Sequence, residues 1–208
     1  MLINKINATI NAIKGVNSKN HDLAAERAAY AEIGRISGIP FSVSNVYERF
    51  AKQVAKIIPF DLIAITQLDL DRDTFTVLYT LGMKVTGLGQ GETVSLKDSV
   101  AVSEVAASQR AMRTDNHPEG GATAQSLSEA GLLSRISTPL IANEKTIGTL
   151  HLASKKPNAY GKSDLVRLEI VGNQIAGAIA SAILLQAERD RASQLKSLYD
   201  VAAIIAQP

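Results

Sequence analysis

The chain is predicted to adopt an α+β fold with a central antiparallel sheet of about six strands. Helices cover both faces, and long helices flank the fold at the two ends. Three observations predict this. The apolar period is helical before Pro59, changes to two between Phe60 and Leu81, and becomes helical again after Ser163. The strand-like runs come in pairs around short polar turns, which makes neighbouring strands antiparallel. The last helical run is too long to bury one stripe on a small domain.

Ile3, Ile6, Ile10 and Ile13 form a short heptad seam, broken by "NSKN". An Ala-rich helix is expected from about Asp22 to Ser37, stopped by Gly38 and Pro40. Another is expected from about Ser44 to Ile58, with Val46, Phe50, Val54 and Ile57 on one face and Pro59 as its end. "FDLIAITQLDL" and "TFTVLYTL" read as a hairpin around "DRD", with Phe75, Val77, Tyr79 and Leu81 sharing one face. The Gly-rich run "GMKVTGLGQGE" reads as a flexible connector. "DSVAVSEVAASQ" is a short helix, "RAMRTDN" a short strand, "HPEGGATA" a loop suited to act as a lid, and "AQSLSEAG" a helix closed by Gly131. "LLSRISTPLIA" and "KTIGTLHLAS" form a second hairpin around "NEK". A long helix then starts with Ser163 as N-cap and runs to about Ala206.

The seam of that helix passes through Leu168, Val171, Ile175, Ala178, Ala182 and Leu185. Beyond Gln186 it resumes, after a stutter, at Leu195, Leu198, Ala202 and Ile205, where it wants a partner helix. Residues 170–187 carry no charge and meet the lower length bound of a membrane span. Asn173, Gln174, Ser181, Gln186 and two glycines argue instead for a helix buried on most of its circumference. No membrane span is expected.

Composition narrows the chemistry. Hydrophobic residues make up 46% of the 208, aromatics only 4%, so the core is aliphatic. A net charge of +2 gives no general pull toward nucleic acid. The chain has no Cys, which excludes disulfides, thiolate metal ligands and thiol nucleophiles, and fits a reducing, cytoplasmic setting. Asp69, Asp71 and Asp73 open like a calcium loop, but Thr74 and Thr80 stand where Gly and Glu are needed. "GLGQG" lacks the helix and the Lys-Ser or Lys-Thr of a phosphate loop, and there is no G-x-S-x-G. His21, His117 and His151 are not spaced for zinc, so no metal site is expected.

The stretch "RISTPLIANEKTIGTLHLASKKPNAYGKSDLVRLEIVGNQIAGAIASA" resembles the closing half of a GAF domain, the sensor module of bacterial signalling proteins. "VAASQRAMRTDN" is similar to the family's middle helix and strand. The resemblance divides the chain into a helical linker at 1–40, a GAF/PAS-like sensor domain at 41–187 and a coiled-coil-like signalling helix at 188–208. It implies a ligand pocket under the loops between about Gly82 and Leu133, away from the flanking helices. It further implies a regulatory role in a signal-transduction protein such as a sensor histidine kinase. The terminal helices would form a homodimer and an output domain would follow Pro208, whose neighbouring "YDVAAIIAQP" echoes "YAEIGRISGIP". A ligand-free dimerisation spacer is the alternative, and an enzyme is the third class.

Strand alternation puts Leu150 and Leu152 on one face and Thr149 and His151 on the other. By the resemblance, the second face looks into the pocket. The implied polar set there is Arg113, Asp115, Asn116, His117, Arg135, Thr149 and His151, and the ligand is an unnamed small molecule. His151 reads either as a ligand contact or as a buried histidine bonded to its neighbours. Ser154-Lys155, Tyr160 and Asp164-Leu165 keep two of five positions of the cyclic-nucleotide pattern (Asn-Lys, Phe, Asp-Glu), which does not support cyclic GMP. Lys155 and Asp164 are instead expected to pair as a structural staple. The missing Cys excludes a thioether-linked bilin cofactor and the methionine sulfoxide reductase activity of some relatives.

Overall fold

The computed structural model describes residues 23–33, 43–115 and 121–205. The Ile3–Ile13 seam, the stop at Gly38 and Pro40, Asn116, His117, the first half of "HPEGGATA" and Ala206 lie outside the described residues.

Residues 23–33 are helical (α1), followed by α2 (Val43–Ile57), which ends just ahead of Pro59. The sheet is built from β1 (Leu62–Asp69), β2 (Thr74–Gly82), β3 (Thr93–Ser95), β4 (Met112–Asp115), β5 (Ser134–Ala142) and β6 (Lys145–Ser154). Its six strands lie in the order β3-β2-β1-β6-β5-β4, every neighbouring pair antiparallel. A 3-10 turn (Leu96–Asp98) leads from β3 into α3 (Val100–Ser108), and α4 (Ala122–Glu129) links β4 to β5. The chain ends in α5 (Lys162–Ile205).

Local chemistry accounts for the punctuation. In the β1–β2 turn the Asp69 carboxylate accepts the Arg72 amide at 3.1 Å, a hairpin turn rather than a calcium loop. Between β5 and β6, Asn143 and Glu144 both take positive φ, the geometry of a two-residue hairpin turn. After α4, Gly131 sits at φ +76. The Gly131 amide donates to Ser128 and the Leu132 amide to Leu127, so a Schellman motif stops the helix. Leu127 and Leu132 pack together behind it.

The sheet separates two cores. On one face α1, α2 and α5 bring Ile33, Phe50, Val54, Leu168, Val171 and Ile175 onto Ile63, Ile65, Ile136, Leu150 and Leu152. On the other, Val102 of α3 meets Leu68, Phe75 and Val77, and Leu127 of α4 meets Leu62 and Ala153.

Four expectations are corrected. Tyr79 does not share a face with Phe75 and Val77. Ile65 pairs with Tyr79 while Thr66 pairs with Val77, so Leu78 is an extra residue that reverses the alternation. Tyr79 therefore joins the helix-side core, 5.7 Å from the Tyr47 ring. The connector after β2 holds a short strand, β3, paired to β2 through Thr93, Val94 and Ser95. Helix α5 begins at Lys162, so Ser163 is its second residue and not its cap. The Asp164 carboxylate closes the helix start instead, accepting the Gly161 amide at 2.8 Å.

The fourth correction concerns the circumference of α5. Its buried side is one stripe, Leu168, Val171, Ile175 and Ile179, while Val166, Ile170 and Leu184 face outward at 56%, 42% and 62% exposure. The segment Lys162–Leu198 is long and apolar enough to cross a membrane by composition. In the fold its first half lies along β5, where Gly172 meets Thr138 closely enough that a Cβ would stand 2.8 Å from that side chain.

Candidate functional site

The sheet face turned away from α5 closes a cavity of about 40 Å³. Its floor is β1, β2, β5 and β6, represented by Ala64, Val77, Arg135 and His151. Its roof comes from the first turns of α3 and α4 and from Leu88 of the connector. The lining is mostly aliphatic, and the volume holds about three water molecules.

Both roof helices present their N-termini. Gly121 precedes α4 at φ +84, where a Cβ would stand 2.7 Å from the Asp98 carbonyl oxygen. The start of α4 is thereby brought against the start of α3, an approach only glycine allows. Neither helix has a side-chain cap: Ser99 is 1% exposed and makes no cap hydrogen bond, and Gly121 has no side chain to offer. Ser99, Ala101, Val102 and Thr123 from these turns all line the cavity.

The floor carries a chain of hydrogen bonds across three strands. The hydroxyls of Thr66 and Thr149 are 2.6 Å apart. Thr149 Oγ1 lies 2.6 Å from His151 Nε2, and His151 Nδ1 lies 2.7 Å from Ser137 Oγ. Both imidazole nitrogens are thus occupied within the protein. Burial, helped by the nearby Arg135 charge, pushes the His151 pKa down to about 3, so the ring is neutral at physiological pH. It forms a wall of the cavity and has no free nitrogen for a ligand or for acid–base work.

Arg135 differs. Burial lowers its pKa, and no acidic side chain among the described residues counteracts this. Among the described residues its guanidinium takes part in no ion pair, and its buried Nε has no acceptor. The buried Thr123 hydroxyl, on the roof, has no partner either.

Other sequence candidates fall elsewhere. Thr149 sits directly beneath the cavity floor, fully buried. Arg113 and Asp115 lie on the edge strand β4 and pair with each other at 2.9 Å, outside the cavity lining. Arg113 also donates to the Tyr160 carbonyl at 3.1 Å, a structural clamp on the approach to α5. Asn116 and His117 are outside the described residues. The sequence reading did not single out Ser137, Thr66, Ser99 or Thr123. Ser137 was within reach of the alternation argument, two residues beyond Arg135 on one strand.

The expected Lys155–Asp164 staple is replaced by two separate fastenings. Asp164 pairs with Arg167 at 3.4 Å, and Arg167 also reaches Glu26 of α1 at 3.0 Å. Lys155 is held through its backbone: its amide donates to the Asp61 carboxylate at 2.8 Å, beside the Ser154 hydroxyl at 3.0 Å. These bonds, the Lys155 amide foremost, hold the Asp61 carboxyl below its ordinary range. Among the described residues, no group of three or more His, Asp or Glu is placed to hold a metal ion.

Comparison with solved structures returns GAF-domain folds. The GAF domain of an Acinetobacter phosphoenolpyruvate-protein phosphotransferase is 18% identical, with a TM-score of 0.63 over 77% of this chain and 96% of that one. The GAF domain of a two-component sensor histidine kinase from Bacillus halodurans is 18% identical, with a TM-score of 0.60 over 70% and 98%. A free methionine-R-sulfoxide reductase from Neisseria meningitidis, solved with its substrate, is 13% identical, with a TM-score of 0.62 over 77% and 91%. At these identities the likeness concerns the fold. A search of curated proteins found no match. The family model of the GAF domain matches residues 42–180, which span the whole sheet and the buried half of α5, and the chain belongs to the GAF domain family.

Proposed function

We propose that this protein is a regulatory sensor module: a small molecule binds in the cavity, and the response leaves through α5 to an output domain of a signalling protein. One observation carries the reading. Arg135 and His151 face the cavity from β5 and β6, while Ile136, Leu150 and Leu152 of the same strands pack on the α5 side. A ligand that moves these strands moves the seat of the helix. The coupling requires two states that the ligand binds unequally. The outward residues Ile170, Gly177, Leu184 and Leu198 stand seven or fourteen apart on α5. That spacing suits a parallel helix pair with a second copy. GAF domains of a histidine kinase and of a phosphotransferase among the structural neighbours agree with such a setting.

We favour a regulatory role over catalysis. The sulfoxide reductases share the fold, but this chain has no Cys and the imidazole in the cavity has both nitrogens engaged. A second reading, a ligand-free dimerisation spacer, is favoured by the small cavity volume. A thermal-shift screen against small metabolites separates the two. A saturable rise with one chemical class supports the sensor. No rise with any member, together with a bare chain mass in native mass spectrometry, supports the spacer.

A further inference from the structure

The cavity carries a feature that an empty spacer does not need. Its lining is mostly aliphatic with a few hydroxyls, yet it contains a guanidinium with no acidic partner among the described residues. Leaving such a charge uncompensated in an apolar enclosure is destabilising, and buried charges are ordinarily paired. Two further donor groups converge on the same space. The first turns of α3 and α4, neither capped by a side chain, line it through Ser99 and Thr123, and the Thr123 hydroxyl is itself unpartnered. Helix N-termini favour negative charge. Among the described residues, no carboxylate lines the cavity.

We propose that the cavity is a binding site for a short-chain monocarboxylate, held by its carboxylate on Arg135 with its alkyl tail against Ala64, Val77, Val102 and Leu127. This rests on the sensor reading and names its ligand class. The planar guanidinium fork matches a carboxylate by two parallel hydrogen bonds. The volume restricts the ligand to about two to four carbons without rearrangement. The aliphatic walls favour a carboxylate with a tail over an inorganic oxyanion, whose whole surface would lose water without apolar compensation. His151 sets the depth of the site. It is neutral and fully bonded, so it packs against the ligand and neither attracts nor repels it by charge.

The test is a thermal-shift titration of the purified chain at constant ionic strength. The probes are sodium acetate, propionate and butyrate, with sodium nitrate, sodium phosphate and n-propanol as controls. The expected result is a saturable rise of several degrees with propionate or butyrate and none with n-propanol. Arg135→Gln abolishes the rise while its unliganded midpoint stays at or above that of the parent, because an unpaired buried charge is gone. Arg135→Lys keeps the charge but not the fork and retains only a minor part of the rise. A rise preserved in Arg135→Gln, matched by n-propanol, or confined to nitrate and phosphate overturns the proposal. No rise with any carboxylate, while native mass spectrometry shows a retained neutral molecule, overturns it and leaves the sensor reading standing. No rise with any carboxylate and a bare mass overturn it as well, and the sensor reading falls with it only when no member of the wider metabolite screen raises the midpoint.

Discussion

Nδ1 of His151 lies 2.7 Å from Oγ of Ser137, its directly paired residue on the neighbouring strand. With Thr149 on the other ring nitrogen, the imidazole is held at both ends in the sheet. The Thr66–Thr149–His151–Ser137 chain therefore fixes the cavity floor. Removing one link leaves a buried polar atom unpaired, which costs about 1–3 kcal/mol. Ser137→Ala and Thr149→Val are each expected to lower stability by that amount in urea unfolding. Thr149→Val should cost more, since the Thr149 hydroxyl also meets Thr66 at 2.6 Å. A loss below about 0.5 kcal/mol in both would show that the chain of bonds is not holding the floor.

The same burial makes stability pH-dependent. The His151 pKa lies near 3 in the fold against 6.5 when unfolded, so the unfolded chain binds the extra proton between these values. The contribution is complete above pH 6.5 and declines as pH falls toward 3. One group can change stability by at most about 1.4 kcal/mol per pH unit. Chemical denaturation between pH 6.5 and 4.5 is expected to show a loss of about 2 kcal/mol from this group. His151→Gln, which keeps hydrogen-bonding capacity without the titration, should flatten that slope. An equal slope in the variant would assign the effect to other groups.

The junction between β6 and α5 depends on Asp61 and Asp164 separately. Asp61→Ala releases the Lys155 amide and the Ser154 hydroxyl and is expected to cost about 1–2 kcal/mol. Lys155→Ala keeps the amide bond and removes only a solvent-screened attraction to Asp61, so it should stay within about 0.5 kcal/mol. Comparable losses from Lys155→Ala and Asp164→Ala, with strong coupling in the double variant, would restore the direct ion pair.

The contrast between these residues shows what sequence pattern carries and what it does not. Alternation along β6 was enough to send Leu150 and Leu152 to one core and His151 to the other face, because a pleated strand obeys a strict period of two. The same rule misassigned Tyr79, because a bulge inserts Leu78 and nothing in "TFTVLYTL" announces it. Strand β3 was missed because three residues without a hydrophobic period are fixed only by their pairing with β2. Lys155 and Asp164 are expected to pair because they match two positions of a family pattern, which places both at one junction without fixing their partners. The actual partner, Asp61, stands 94 positions away and arrives only when β1 pairs with β6. Arg135 was legible as a cavity-facing residue. Its lack of an acidic partner among the described residues is a property of the assembled site, and so is the meeting of two helix N-termini above it.

The outward stripe of α5 makes an assembly prediction. Light scattering is expected to give twice the chain mass at micromolar concentration. The double variant Ile170→Glu, Leu184→Glu places charges on the exposed face without touching the buried stripe through Leu168, Val171 and Ile175. It should yield a folded monomer with unchanged circular dichroism. A parent protein that is already monomeric at high micromolar concentration would remove the helix-pair route for the signal.

Occupancy of the cavity is the most direct test of the sensor account, and native mass spectrometry of the freshly purified protein reads it. The account predicts a population heavier than the bare chain by one small molecule per copy, reduced in Ala64→Phe, where a ring fills the floor while Arg135 and the hydrogen-bonded chain remain. A bare mass in both proteins, with no metabolite raising the melting temperature of the parent, would contradict it.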